Sequence, residues 1–182
     1  MRNARRFIRH YGVTKHQRTG TFMIVVQYAN DGNLKEFLFK NRIEHDWQWK
    51  LNILRYLAQD LSTIHNAGLA HCDVQNQNVF IRDDNWAYLG QLYWSASKKE
   101  LKGKDTRFIN KKLNDILGFG ELIIQIATET DYNNYDASKI GNIPNPILKL
   151  IKSCFKKHPD INKILYILEK WCGNPQRFDD SF

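Results

Sequence analysis

The chain has 182 residues, of which 27 are Lys or Arg and 19 are Asp or Glu, so its formal net charge is +8. Aromatic residues make up 13% of it, which excludes a disordered chain because such chains contain few of them. Its mean hydropathy is −0.55, and no apolar run approaches the ~18 residues that a membrane-spanning helix needs.

Two further compositional features bound the class of protein. The basic start, residues 1–8, has no long apolar stretch behind it, so we expect no secretory signal and a cytoplasmic, intracellular location. The three cysteines are scattered and form no C-x-x-C pair, so the sequence predicts neither a disulfide framework nor a zinc site. They are Cys72, Cys154 and Cys172.

Lysines cluster in residues 98–104, 111–112 and 149–157. Such clusters occur in nucleic-acid-binding surfaces, but no RNA-binding or zinc-finger motif accompanies them. We therefore expect a solvated surface rather than a nucleic-acid partner, with binding of polyanions left as an alternative.

The first elements are two strands at residues 7–13 and 21–28, rich in β-branched and aromatic residues. A polar, hairpin-like link joins them. An Asn-Asp-Gly-Asn turn at residues 30–33 predicts a reversal, and a short helix follows at residues 34–39.

A long helix is predicted over residues 47–66. Asp46 is a suitable N-cap residue, and Gly68 is a suitable stop. The apolar residues between them recur at steps of three and four, which is helical spacing.

The second half predicts a small hairpin and then helices. Strands at residues 78–81 and 86–89 precede a polar, basic loop at residues 95–110. Residues 113–128 are apolar nearly all round, which indicates a helix buried in a core. After a polar linker (130–143), two amphipathic helices close the chain at residues 146–156 and 160–171. The fold class is therefore α+β, mostly α.

The densest polar segment lies between the long helix and the small hairpin. Residues 71–78 read H-C-D-V-Q-N-Q-N, which resembles the catalytic loop H-R-D-x-x-x-x-N of eukaryotic protein kinases. The five-residue step from Asp73 to Asn78 is the one that this pattern requires.

Flanking segments resemble other parts of that family in the right order. They are the strand into the hinge (23–29), the helix after it (32–34), the long helix (47–65), the opening of the central helix (114–120) and the closing helices (150–159). The amino-acid sequence of residues 26–34 is most similar to those of tyrosine-kinase-like kinases of expanded fungal families. The resemblance implies a remnant of the small lobe and hinge at 7–29, a kinase-like large lobe at 30–172 and a tail at 173–182.

The resemblance also implies roles for individual residues. Asp73 would orient the substrate hydroxyl and accept its proton, and Asn78 would bind one Mg²⁺. His71 would pack into the core without transferring a proton, and Asp115 would accept hydrogen bonds from the backbone of the catalytic loop.

A nucleotide site is implied at the hinge. Val26 would be the gatekeeper, the backbone at Gln27 and Ala29 would face the adenine edge, Asn33 would lie near the ribose, and Phe80 would form the floor beneath the adenine. ATP is accordingly the candidate cofactor.

The sequence departs from the family pattern at the positions that bind metal and phosphate. Gln91 stands thirteen residues after Asn78, where the family has the Mg²⁺-binding aspartate of D-F-G, so we doubt that Mg²⁺ binds. Gln75 replaces a lysine of many serine/threonine kinases, and Cys72 replaces the arginine that reads activation-loop phosphorylation.

Other family features are missing. Only 24 positions separate Gln91 from Asp115, and they contain no A-P-E. The arginine that pairs with its glutamate is absent near Asn162. No Gly-rich loop or V-A-I-K lysine precedes residue 7.

Three hypotheses follow. The first is a pseudokinase that binds or scaffolds a protein partner without transferring phosphate. The second is an active or weakly active serine/threonine or tyrosine kinase represented by a truncated chain. The third is a non-functional relic, or a basic surface that binds polyanions. The sequence predicts no oligomeric state.

Overall fold

The computed structural model describes residues 8–40, 44–83, 85–91, 96–97, 105–130 and 140–173. The strands are β1 (His10–Lys15), β2 (Phe22–Val26), β3 (Leu69–Ala70), β4 (Val79–Arg82), β5 (Trp86–Leu89) and β6 (Ala96–Ser97). The helices are α1 (Leu34–Lys40), α2 (Trp47–Asn66), α3 (Asp105–Thr128), α4 (Asn145–Lys156) and α5 (Ile161–Gly173), and a 3₁₀ turn spans Asn76–Asn78. The predicted α+β, mostly helical class is confirmed.

The two N-terminal strands form an antiparallel hairpin. Val13 lies opposite Ile24 and Lys15 opposite Phe22. Gly20 has a φ of +71°, a left-handed conformation that favours glycine, and it completes the turn. The strands are those predicted, but β1 begins three residues later than expected and continues through Lys15.

Helix α2 begins and ends where its sequence predicts. The Asp46 side chain accepts a hydrogen bond from the backbone nitrogen of Trp49 at 2.8 Å and so caps the first turn. After Asn66 the chain leaves the helix, and Gly68 adopts a φ of +75°.

The core lies among the long helices. Helix α2 packs against α5, and α3 packs against α4. Phe119 and Trp171 are the largest fully buried side chains of the described residues. The β4–β5 hairpin lies against α2, where the backbone nitrogen of Leu89 donates to the Asp60 carboxylate at 2.9 Å.

The predicted loop at residues 95–110 is wrong in two places. Ala96–Ser97 form a short strand that pairs with β3. Helix α3 begins at Asp105, about two turns before the predicted start, because Phe108 is buried and continues the apolar face of α3. The residues around Phe108 are mostly polar or basic, so the sequence pattern did not indicate that the apolar face of α3 extends to it.

Two predicted segments lie largely outside the described residues. The tail after Gly173 lies outside them, and so does most of the predicted linker at 130–143, of which residues 131–139 are not described. None of the helices among the described residues combines the length and hydropathy needed to cross a membrane.

Candidate functional site

The polar segment at residues 71–78, called the 71–78 loop below, runs from the end of β3 to the 3₁₀ turn before β4. The buried carboxylate of Asp115, in the middle of α3, fixes its start. One Asp115 oxygen accepts from the backbone nitrogen of His71 and the other from that of Cys72, both at 2.7 Å. The ring nitrogen Nε2 of His65 lies 2.9 Å from the same carboxylate.

These bonds explain an unusual backbone conformation. Cys72 has a φ of +72°, a left-handed conformation that side-chain-bearing residues rarely adopt. Such strain persists only where the surroundings over-determine it. Here two consecutive N–H groups point at one carboxylate, so Asp115 sets the shape of the loop.

His71 connects the loop to the end of β5. Its Nε2 contacts the carbonyl oxygen of Gly90 at 2.7 Å, and the backbone nitrogen of Asp73 donates to its Nδ1 at 3.2 Å. These partners assign the proton to Nε2 of a neutral ring. The pKa of His71 lies below its ordinary 6.5, because the lowering by burial is larger than the opposing effect of the hydrogen bond to Gly90. The ring is therefore a structural link near neutral pH.

Asp73 and Asn78 lie in direct contact. The side-chain nitrogen of Asn78 donates to Oδ2 of Asp73 at 2.6 Å and to its carbonyl oxygen at 2.8 Å. The side-chain nitrogen of Gln75 donates to Oδ1 of Asp73 at 2.9 Å. Both carboxylate oxygens thus accept from neutral amides, while the Asn78 side-chain oxygen still offers one neutral acceptor.

Gln91 directly follows Gly90, whose backbone nitrogen donates to the carbonyl oxygen of Asn78 at 2.8 Å. Gln91 is therefore next in the chain to a residue that is bonded to the end of the 71–78 loop. It is half-buried and has a φ of +63°. Within the described part of the chain, no group of three or more His, Cys, Asp or Glu side chains could bind a metal ion.

The hinge residues lie between β2 and α1. Val26 ends β2 opposite His10, and the backbone nitrogen of Gln27 donates to the Arg9 carbonyl at 2.7 Å. The carbonyl oxygen of Ala29 accepts from the Gly32 nitrogen at 3.2 Å.

The structure brings Asn33 and Phe80 together. Their backbones form an antiparallel bridge, and the Phe80 ring packs so closely on Gly90 that a Cβ there would lie 2.6 Å from it. The Asn33 side-chain oxygen caps α1 by accepting from the Glu36 nitrogen at 2.9 Å. Val26, Gln27 and Ala29 remain assigned to the nucleotide by resemblance alone.

Sequence reasoning missed contacts of α3 with the 71–78 loop and with the end of α2. The Lys111 ammonium lies 3.6 Å from the Cys72 sulfur, and that of Lys112 donates to the carbonyl oxygen of His65 at 2.9 Å. Gly118 lies so close to Val74 that a Cβ would collide with its carbonyl oxygen. The glycine was the one available signal, since a glycine inside a buried helix often marks a close approach.

Asn162 connects the first turn of α5 to the last turn of α2. Its side-chain oxygen accepts from the Ser62 hydroxyl at 2.7 Å and from the Asn66 amide at 3.2 Å. The position where the resemblance expects an arginine therefore contacts α2 through neutral hydrogen bonds.

Comparison with known proteins decides the family. The family model described as protein tyrosine and serine/threonine kinase matches residues 2–103, more than half of the chain. The chain belongs to this protein kinase family. The kinase match includes the hinge, the 71–78 loop and Gln91.

Individual kinases are similar over most of the chain. Dual specificity testis-specific protein kinase 2 of Rattus norvegicus is 24% identical over 193 residues, which cover 85% of this chain and 32% of the relative. A probable serine/threonine-protein kinase of Dictyostelium discoideum is 21% identical over 89% of this chain and 21% of the relative. A probable L-type lectin-domain containing receptor kinase, S.5, of Arabidopsis thaliana is 25% identical over 66% of this chain and 24% of the relative. The chain thus spans a third or less of these kinases.

Proposed function

We propose that this kinase-family domain binds other molecules, a protein partner among them, without transferring phosphate. The observation that carries the proposal is Gln91, which places a neutral amide at the position of a metal-binding carboxylate. The pair Asp73–Asn78, which the resemblance assigns to catalysis, lies in contact, so the proposal depends on Gln91.

The donor set does not fit Mg²⁺. Mg²⁺ is a hard cation that binds carboxylate and phosphate oxygens, whereas Gln91 offers a neutral amide where the family has an aspartate. Loss of several kcal/mol of metal-assisted stabilisation at 1.36 kcal/mol per decade corresponds to a rate loss of roughly a thousandfold or more. The neutral amide of Gln91 therefore supports binding without transfer, while Asn78 keeps the residue type that the family pattern has at its position.

Nucleotide binding without metal is part of the proposal. The hinge at Gln27 and Ala29 supplies backbone groups, and Phe80 supplies an apolar surface beside Asn33. Such a site takes the adenine and ribose of ATP while leaving the phosphates without a metal clamp. We also propose that the domain is most similar to the tyrosine-kinase-like branch of fungal type, because of the amino-acid sequence of residues 26–34.

A thermal shift with ATP, with and without Mg²⁺, tests the nucleotide part of this proposal. We expect ATP to raise the melting temperature and Mg²⁺ to add nothing. In Gln91→Asp, which restores the carboxylate, Mg²⁺ should enlarge the shift. Gln91→Asn is the matched control, because it has the size of aspartate without the charge. An Mg²⁺-enhanced shift in the unaltered chain would contradict the proposal.

Two observations favour a second candidate, an active or weakly active kinase of which this chain is a part. Asp73 and Asn78 are joined by two hydrogen bonds, and the relatives, several named as dual specificity or serine/threonine kinases, match this chain over a fraction of their length. Phosphate transfer that requires Asp73 distinguishes this candidate from the first.

A further inference from the structure

The Asp73 carboxylate of the 71–78 loop keeps its negative charge uncompensated. Its oxygens accept hydrogen bonds from the side-chain amides of Asn78 and Gln75, at 2.6 and 2.9 Å, and amides carry no charge. Residues 71–78 contain no Lys or Arg. Among the residues that the structure describes, no cationic side chain forms an ion pair with Asp73. Because burial lowers the pKa of His71, the ring bonded to the Asp73 backbone adds no cation near neutral pH.

The lysines of α3 that contact this region leave the charge in place. The ammonium of Lys111 contacts the sulfur of Cys72 at 3.6 Å, and that of Lys112 donates to a backbone carbonyl oxygen of α2 at 2.9 Å. Both lie near the start of the loop, where the buried carboxylate of Asp115 supplies a further negative charge. Neither lysine forms an ion pair with Asp73.

The base and ribose positions of the proposed nucleotide site adjoin this carboxylate. Phe80, the proposed floor beneath the adenine, comes two residues after Asn78 and forms a backbone bridge with Asn33, beside which the ribose would lie. Two residues of a strand span about 6.6 Å. A phosphate chain that leaves the ribose toward the 71–78 loop therefore meets Asn78 and, bonded to it, the charge of Asp73.

Charge then decides how many phosphates the site accepts. Gln91 has a neutral amide at the position where the family pattern has a metal-binding aspartate. Each further phosphate group brings negative charge toward Asp73, and like charges repel unless a cation pairs with them. The net charge of +8 offsets little of this, because exposed charges more than about 8 Å away are screened at physiological salt.

We propose that the site binds an adenine nucleoside with at most one phosphate, adenosine or AMP, in preference to ATP. Adenine and ribose make the same contacts in all of these ligands, so the phosphate charge sets the order of affinity. Adenosine binds most tightly and ATP least, the reverse of the order expected where a metal clamps the phosphates. This preference rests on the proposed function, in which no metal does so.

Calorimetric titration of the full chain tests the order of affinity directly. The ligands are adenosine, AMP, ADP and ATP, each measured near neutral pH with a chelator that removes divalent cations. At low salt we expect ATP to bind about tenfold more weakly than adenosine, and the difference should shrink as added salt screens the charges.

A lysine beside Asp73 should abolish the preference. The side chain of Gln75 is exposed and contacts the Asp73 carboxylate, so Gln75→Lys supplies the missing cation at the surface. This variant should bind ATP about tenfold more tightly than the unaltered chain does and should bind adenosine equally well. Asp73→Asn, which removes the charge, should also tighten ATP binding.

Gln77→Lys is the matched control. It adds the same charge at an exposed residue of the same loop, and the Gln77 side chain forms no hydrogen bond with Asp73. We expect its affinity for ATP to change by less than about twofold, since a solvated charge without a partner is screened.

The outcomes separate the nucleoside preference from the proposed function. If ATP binds as tightly as adenosine, or if Gln77→Lys has the effect of Gln75→Lys, the preference is wrong and binding without transfer stands. If added Mg²⁺ tightens ATP binding to the unaltered chain, the proposed function fails too, because a metal then clamps the phosphates. If none of the four ligands binds, the nucleotide part of the proposed function is wrong, and the preference with it.

Discussion

The side-chain nitrogen of Asn78 lies 2.6 Å from Oδ2 of Asp73, although the carboxylate expected at Gln91 is missing. The pair is thus arranged independently of any metal ligand at Gln91. The anchor is Asp115, which binds two backbone nitrogens at the start of the 71–78 loop. The shape of the loop and the chemistry of the site can therefore be tested separately.

Asp115→Ala should strongly destabilise the domain. Removing the carboxylate leaves the backbone nitrogens of His71 and Cys72 without their acceptor inside the core. A buried donor left without its acceptor costs about 1–3 kcal/mol, and this variant leaves two backbone donors so. Urea denaturation measures the loss of unfolding free energy.

The control for this variant is Glu121→Ala on the exposed side of the same helix. Its effect should lie within about 0.5 kcal/mol, as is usual for surface substitutions. Equal effects of the two variants would mean that Asp115 does not anchor the loop.

Gly118→Ala should displace the 71–78 loop. The added methyl group would meet the carbonyl oxygen and Cβ of Val74, and overpacking of this kind costs about 1–3 kcal/mol. Gly173→Ala, at the end of α5, meets no atom within 4 Å and should be neutral or slightly stabilising. Similar melting temperatures for the two variants would contradict the close approach.

Stability should fall as the pH drops below about 6.5. The pKa of His71 is lowered in the folded protein because the ring is buried. The unfolded chain therefore binds this proton at higher pH than the folded one, and the contribution, complete above pH 6.5, is lost on acidification.

The slope for this one proton is at most about 1.36 kcal/mol per pH unit. Unfolding free energies measured between pH 7.5 and pH 5 should show it in the unaltered chain. His71→Gln retains an N–H donor toward Gly90 and cannot be protonated, so its profile should be flatter. Profiles of identical slope would rule out His71 as the group responsible.

The thiols should react in a defined order with a disulfide reagent at pH 8. Cys154 is fully buried, and burial raises its pKa to about 12. Burial also raises the pKa of Cys172, and the reactive species is the thiolate. The half-buried Cys72 should therefore react first, and Cys72→Ser should remove the fast phase. A fast phase that survives in this variant would disprove the order.

Local signals predicted much of this fold. Asp46 and Gly68 fixed the limits of α2 because a capping side chain and a left-handed glycine act within one turn. The resemblance of residues 71–78 to the kinase loop selected Asp73 and Asn78, whose contact the structure adds and whose roles stay predictions.

Contacts between distant segments were not predictable in this way. The start of α3 was missed because the burial of Phe108 depends on what packs against it. The bond from Ser62 to Asn162 joins residues 100 positions apart, and no spacing within either helix indicates it.

Transfer of phosphate from ATP is the most direct test of the central claim, that the domain binds without phosphorylating. The full chain is incubated with labelled ATP, Mg²⁺ and generic protein substrates, beside Asp73→Asn, which removes the carboxylate that the resemblance assigns to accepting the substrate proton. We expect equal, background incorporation for both proteins. Incorporation by the unaltered chain that exceeds background and disappears in Asp73→Asn would contradict it.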